Sequence, residues 1–185
     1  IGEPRCKVGV GDIQFDEAGP VDLKTGIGDV TVERAVGKAE IVTGSGGVRI
    51  GSVDGTASVK NSNGQTWIGE VTGEARMSAA NGNISVDLAH AGIVVKTAKG
   101  DVRIGEVERG AAVAQSAFGD LEVGVRDGVA AWLDLQTKFG DVRNELDAAE
   151  SPGATEDTVE VRANTAFGDI TVHRSLASRA GRDGS

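Results

Sequence analysis

An interval constrains this chain more than any single residue does. A glycine, then a small or polar residue, then an apolar–x–apolar triplet recurs along the sequence, starting at Gly11, Gly28, Gly46, Gly64, Gly82, Gly100, Gly119, Gly140 and Gly168. The steps between these glycines are 17, 18, 18, 18, 18, 19, 21 and 28 residues. A repeat at near-constant spacing determines architecture before any local propensity does. A second alternating run ends five residues before most of these glycines, as in Val21-Asp22-Leu23, Ala39-Glu40-Ile41, Ala57-Ser58-Val59 and Ile93-Val94-Val95. Two residues after that run comes a small polar position: Thr25, Thr43, Asn61, Thr97, Ser116, Thr137 and Thr165, with Ala79 the exception.

Alternation with period two reads as strands with one buried face, and β-branched residues dominate the buried phase. Two short strands and two turns in about 18 residues are too few for a propeller blade of roughly 40–45 residues. They fit one coil of a parallel β-solenoid, with equivalent residues stacked about 4.8 Å apart. The sequence thus predicts an all-β, single-domain β-solenoid (β-helix) of about nine coils, a rod roughly 40 Å long, with right-handed winding the default. One core ladder is Ile13, Val30, Val48, Ile84, Val102, Leu121, Val142 and Ile170. The next is Phe15, Val32, Ile50, Ile68, Val86, Ile104, Val123 and Val172. Such a core needs few rings, which accounts for 3% aromatics, no Tyr and 28 glycines in 185 residues. A β-sandwich is the competing fold, and it would not require equivalent residues to stack.

The pattern frays toward the C-terminus. Asn144 takes an apolar ladder position, and residues 148–157 read as a polar, Pro/Gly-marked loop. Phe118, Phe139 and Phe167 precede their glycines and predict an aromatic column on the last three coils. The solenoid domain is assigned to residues 1–174 and a tail to 175–185. The chain begins at Ile1 rather than Met, which reads as a fragment or processed product.

Charge and composition exclude several functions. The net charge of −9 repels phosphate backbones, so nucleic acid is a poor partner. No stretch approaches the ~20 apolar residues of a membrane span, so direct membrane insertion is not expected. One cysteine, Cys6, and two histidines, His90 and His173, make a zinc site improbable, and no cofactor is implied. The Gly-Asp pairs raise calcium, with Asp101, Asp120 and Asp141 as candidates in a column that also holds Asp12, Asp29 and Asp169. A calcium β-roll uses a nonapeptide repeat, half the length seen here, so turn chemistry explains these residues better. The glycine-rich stretches at Gly26–Gly28 and Gly44–Gly47 complete no phosphate-binding fingerprint. His90 reads as a solvated turn residue, no Ser/His/Asp or Cys/His context is present, and no catalytic residue is assigned. Carboxylate pairs on adjacent coils, Asp22 with Glu40 or Asp101 with Asp120, are the one route to a polysaccharide-cleaving enzyme.

The outward column of the Gly-Asp strand carries the best binding candidates. It reads Gln14, Thr31, Arg49, Trp67, Ser85, Arg103, Glu122, Arg143 and Thr171. Trp67 should face away from the core, with Arg49 one coil below and Arg103 two coils above, an arrangement suited to cation–π contact and interface use. Trp132 is out of the inward phase and belongs on another face.

The unit Thr-x-x-Gly-Asp-Val-x-Val, seen at Thr25–Val32, Thr97–Ile104 and Thr165–Val172, resembles a bacterial adhesin-type family of β-strand-repeat domains of unknown function. The resemblance covers roughly residues 6–174, and the stretches at 60–71 and 126–135 are similar to actinobacterial members. It implies a β-solenoid, no established catalytic residues, further strands ahead of Ile1, and a cytoplasmic rather than secreted setting. Two functions follow as expectations. The first is a non-enzymatic structural or binding module whose rod engages a protein, or itself through the solenoid ends. The alternative is a carbohydrate-active β-helix enzyme or glycan-binding protein, which the scarcity of aromatic platforms disfavours.

Overall fold

A computed structural model describes residues 5–126, 130–145 and 158–174, and every regular element among them is a β-strand. The strands are β1 (Arg5–Val10), β2 (Ile13–Ala18), β3 (Val21–Ile27), β4 (Val30–Val36), β5 (Ala39–Ser45), β6 (Val48–Asp54), β7 (Ala57–Asn63), β8 (Thr66–Val71) and β9 (Ala75–Asn81). They continue as β10 (Ile84–Ala89), β11 (Ile93–Lys99), β12 (Val102–Val107), β13 (Gly110–Phe118), β14 (Leu121–Val125), β15 (Ala130–Phe139), β16 (Val142–Asn144), β17 (Thr158–Phe167) and β18 (Ile170–Arg174). Odd-numbered strands form one nine-stranded sheet and even-numbered strands the other. The pairings within each sheet are parallel, so one odd and one even strand make a coil of a β-solenoid.

The register follows the repeat. Ile13 pairs with Val30, Val30 with Val48, Val48 with Thr66, Thr66 with Ile84 and Ile84 with Val102. The neighbouring ladder from Phe15 to Ile104 holds in the same way. The opposite sheet supplies Leu23, Ile41, Val59, Met77, Val95 and Ala114 to the interior, all buried. The small polar column is buried beside them, at Thr25, Thr43, Asn61, Thr97, Ser116 and Thr165. Several of its hydroxyls reach a carbonyl one coil away: Thr165 Oγ1 donates to the Gly119 carbonyl at 3.0 Å, and Ser116 Oγ to that of Gly100 at 3.1 Å, whereas Thr43 Oγ1 is buried without a partner among the described residues. These carbonyls belong to the repeat glycines. At Gly82 the reason for glycine is direct: φ is +150°, and a Cβ would overlap the Gly64 carbonyl oxygen.

Only the first seven coils stack in chain order. The last two exchange places: β17 lies between β13 and β15, and β18 between β14 and β16. The ladders therefore run Leu121, Ile170, Val142 and Val123, Val172, Asn144, not in sequence order. The phenylalanine column forms as the spacing predicts, but in the order Phe118, Phe167, Phe139, with ring centroids 4.9 Å apart at both steps. Burial explains the exchange. Val159, Val161, Ile170 and Val172 fill an enclosed coil and are fully buried. The coil carrying Asn144 and Arg143 takes the open end of the rod, where both are exposed and Val142 is 43% exposed. A coil with a polar residue in a core ladder costs least where that ladder ends. The loop at 148–157 and the tail at 175–185 lie outside the described residues.

The exchange is open to a cross-linking test in a Cys6→Ser background. Phe118→Cys with Phe167→Cys places two thiols on adjacent, in-register strands, within the Cα separation of about 4.4–6.8 Å that a disulfide needs. Phe118→Cys with Phe139→Cys spans two coils, roughly 9–10 Å. The first pair is expected to oxidise to an intramolecular disulfide and the second is not; the reverse result on non-reducing gels and mass spectrometry would restore chain-order stacking.

Candidate functional site

The Gly-Asp corner is a hydrogen-bonded ladder along the rod. The backbone N–H of Asp29 donates to Asp12 Oδ1 at 2.9 Å, and that of Gly47 to Asp29 Oδ1 at 2.7 Å. Farther along, Asp101 N–H donates to Asn83 Oδ1, Asp120 N–H to Asp101 Oδ1, Asp169 N–H to Asp120 Oδ1, and Asp141 N–H to Asp169 Oδ1, at 2.8–2.9 Å. The calcium candidates Asp101, Asp120 and Asp141 are thus not three consecutive rungs, because the exchanged coil puts Asp169 between the last two. The carboxylates of Asp101, Asp120 and Asp169 each accept a backbone N–H from the next coil of the stack, and Asp141 takes part through its own N–H. Among the described residues no group of three or more His, Cys, Asp or Glu side chains is arranged to hold a metal ion. Of the carboxylate pairs raised by the sequence, Asp22 and Glu40 are register neighbours, and Asp101 binds the Asp120 backbone.

The ladder is interrupted at two successive coils, where Gly47 and Gln65 stand in place of Asp or Asn. The best binding candidates sit at this interruption. Arg49 and Trp67 are register neighbours on β6 and β8. The Arg49 guanidinium lies over the Trp67 ring, 5.2 Å from its centroid, and the ring is half-buried. The ring edge also reaches toward Gly69, which has no side chain to block it. Around the pair is an open depression of about 570 Å³, with Asp29, Thr31, Gln65, Asn83 and Ser85 on its rim. Arg103 does not join it. Ser85 stands between Arg103 and Trp67 in the register, and Arg103 pairs with Glu122 at 3.5 Å. Trp132 is 66% exposed on the terminal strand β15, beside Glu160 and a second shallow depression.

One cluster lies outside what the alternation pattern could reveal. His90 follows the end of β10, where the inside–outside pattern stops, and the expectation of a solvated turn residue is overturned. Its Nδ1 lies 2.6 Å from Glu108 Oε2 and its Nε2 lies 2.6 Å from Glu70 Oε1. Arg126 donates to the other oxygen of Glu108 at 2.7 Å, and Arg109 Nε donates to the His90 carbonyl at 3.1 Å. The available signal was the interval itself, since His90, Glu108 and Arg126 are successive steps of 18. Burial favours the neutral imidazole, but hydrogen bonds and attraction from Glu108 and Glu70 outweigh it and raise the His90 pKa above 6.5. The imidazolium, with two N–H groups, then bridges both carboxylates. His173 Nε2 contacts Glu122 at 2.9 Å.

The family model for Toastrack DUF4097 covers residues 5–180. No curated protein and no solved structure matches the chain. Among the described residues no helix is long and apolar enough to cross a membrane.

The His90 bridge has a pH signature. Its pKa is higher folded than unfolded, so its stabilisation is complete below about pH 6.5 and fades as pH rises through the raised folded value. For these partly exposed groups the contribution is on the order of 1 kcal/mol. His90→Gln is therefore expected to lower the denaturation midpoint at pH 5.5–6 and to lose that difference on the alkaline side. Parallel stability curves for the two proteins would contradict the bridge.

Proposed function

Because the chain belongs to the Toastrack DUF4097 family, a family of β-repeat domains without an assigned activity, we propose that it is a non-enzymatic binding module. The rod holds side-chain columns at fixed spacing, and its working face is the depression around Trp67 and Arg49. The observation that carries this reading is the Arg49 guanidinium stacked on a half-buried, outward-facing Trp67. Trp and Arg in one recess are the residue types that dominate binding hot spots. A rigid sheet presents them with little ordering cost. The partner in this reading is a protein. Adhesion is one use of such a face, and the cytoplasmic setting implied by the actinobacterial resemblance suits an intracellular scaffold equally.

A second mode is self-association through the solenoid ends, where β15 and β16 have no further strand beyond them within the described residues. A glycan is the alternative partner, favoured by the amides of Gln65 and Asn83 beside an indole ring. Asp22 beside Glu40 keeps a carbohydrate-active enzyme as the lesser alternative.

A photo-crosslinking residue at Ser85 tests the face. A discrete adduct is expected, reduced about tenfold or more by Trp67→Ala, the loss of a hot-spot contact of roughly 2 kcal/mol. An equal adduct from Lys24 on the other sheet, or indifference to Trp67→Ala, would remove the face from consideration. Sedimentation over a concentration series, with and without calcium, tests the ends. Growth with concentration that is independent of calcium is expected; a strict monomer eliminates end pairing.

A further inference from the structure

We propose that the gap in the carboxylate ladder at Gly47 is a binding site for the carboxylate of a ligand, which takes the place of the missing rung. The proposal rests on the Trp67–Arg49 face being the working face and names the chemistry that face selects.

The fold itself supplies the template. Six times along the described residues, a side-chain oxygen accepts the backbone N–H of the next coil at 2.7–2.9 Å, five of these from Asp and one from Asn83. At Gly47 there is no side chain, and the N–H of Gln65 has no acceptor among the described residues. Gln65 in turn offers no oxygen to the N–H of Asn83, which is likewise without one. Two backbone donors therefore face the same depression, spaced like those the fold elsewhere fills with carboxylate. Elsewhere on this corner the same backbone donors are each met by a carboxylate or amide oxygen one coil away.

The notch is open. A Cβ on Gly47 would meet nothing nearer than Asp29 Oδ1 at 3.6 Å and the Gln65 carbonyl at 3.8 Å. Arg49, two residues along, brings a guanidinium to the rim, and Trp67 offers an apolar surface for the body of the ligand. Asp29 faces the depression as well, but its Oδ1 is already held by the Gly47 N–H. Carboxylates one coil apart are also what the fold tolerates from Asp101 through Asp120 and Asp169 to Asp141.

The departures from the repeat concentrate here. Gly47 and Gln65 break the acid column, Thr66 takes a core ladder position otherwise apolar in the buried coils, and Asn61 replaces the hydroxyl of its column. Asn61 Nδ2 binds the carbonyl of Gly46, at the corner next to the notch, at 3.0 Å. All four fall in two adjacent coils, on or directly beneath the recess. The net charge of −9 selects a single carboxylate on an otherwise uncharged body over a polyanion.

Amide NMR of the ¹⁵N-labelled chain, at constant ionic strength with chloride as the reference ion, tests the site. The probes are acetate, glucuronate and N-acetyl-leucyl-glutamate amide. Saturable shifts are expected at the Gln65 and Asn83 amides, larger than at Asp29 or Asp101, whose acceptors are in place. The tightest probe separates an acidic sugar from an acidic peptide side chain. Gly47→Asp supplies the missing rung and is expected to weaken binding at least tenfold; Gly47→Asn supplies an uncharged oxygen and is expected to do the same. Shifts spread evenly over the amides, or unchanged binding in both variants, overturn the proposal. The two readings fail separately: a Trp67-dependent Ser85 adduct without acetate binding removes only the carboxylate site, and acetate binding with a face-blind adduct removes only the partner face.

Discussion

Each coil of this protein is fastened to the next at a glycine corner, and the rest of the structure depends on that joint. The Gly28 N–H donates to the Ser45 carbonyl of the following coil at 2.9 Å, and the same bond recurs at Gly46, Gly64 and Gly82. On the same corner an Asp oxygen receives the next coil's N–H, and a buried Thr or Ser hydroxyl reaches the glycine carbonyl. Corners stack so closely that a methyl group at Gly82 would overlap the carbonyl below it. A close stack fixes the axial register, and register then aligns every inward residue with its equivalent one coil away. The Val and Ile ladders are the consequence of this joint as much as of hydrophobicity, because misregistered side chains would face the wrong sheet surface.

A core built this way lies between the two sheets but is closed along the rod axis by neighbouring coils, so position along the rod decides how completely a coil is buried. That gradient explains the exchanged coils. Ile170 and Val172 gain full burial between β14 and β16, while Asn144 remains at the rim. The stacked rings of Phe118, Phe167 and Phe139 run down one exposed edge across the same three coils. Their adjacency survives the exchange because each ring occupies the same column of its own coil.

The surface chemistry of such a molecule changes where the sequence departs from the repeat. Most outward positions repeat solvated polar groups at coil spacing, and most rungs of the acid ladder are spent on the backbone. At Gly47, Arg49, Gln65 and Trp67 the pattern gives way to a recess with a cation, an indole and two backbone donors. The His90 cluster is a departure of another kind: ion pairs along the rod that tie coils together at the turn after the even-numbered strands and make that tie sensitive to pH.

The all-β solenoid, its coil length and the contact of Arg49 with Trp67 were legible in the sequence, since all three follow from two local periods, 2 and 18. A residue 18 positions on is a neighbour wherever coils stack in order, and coils three and four do. The bridge of His90 to Glu70 was not legible, because its 20-residue offset crosses columns at a turn where alternation no longer says which way a side chain points. Nor was the order of the last two coils, since either order satisfies every local spacing. Tertiary structure decided it through burial: only the whole stack determines which ladder positions are enclosed, and Asn144 sits exposed at the last rung of its ladder among the described residues, where a polar side chain costs least.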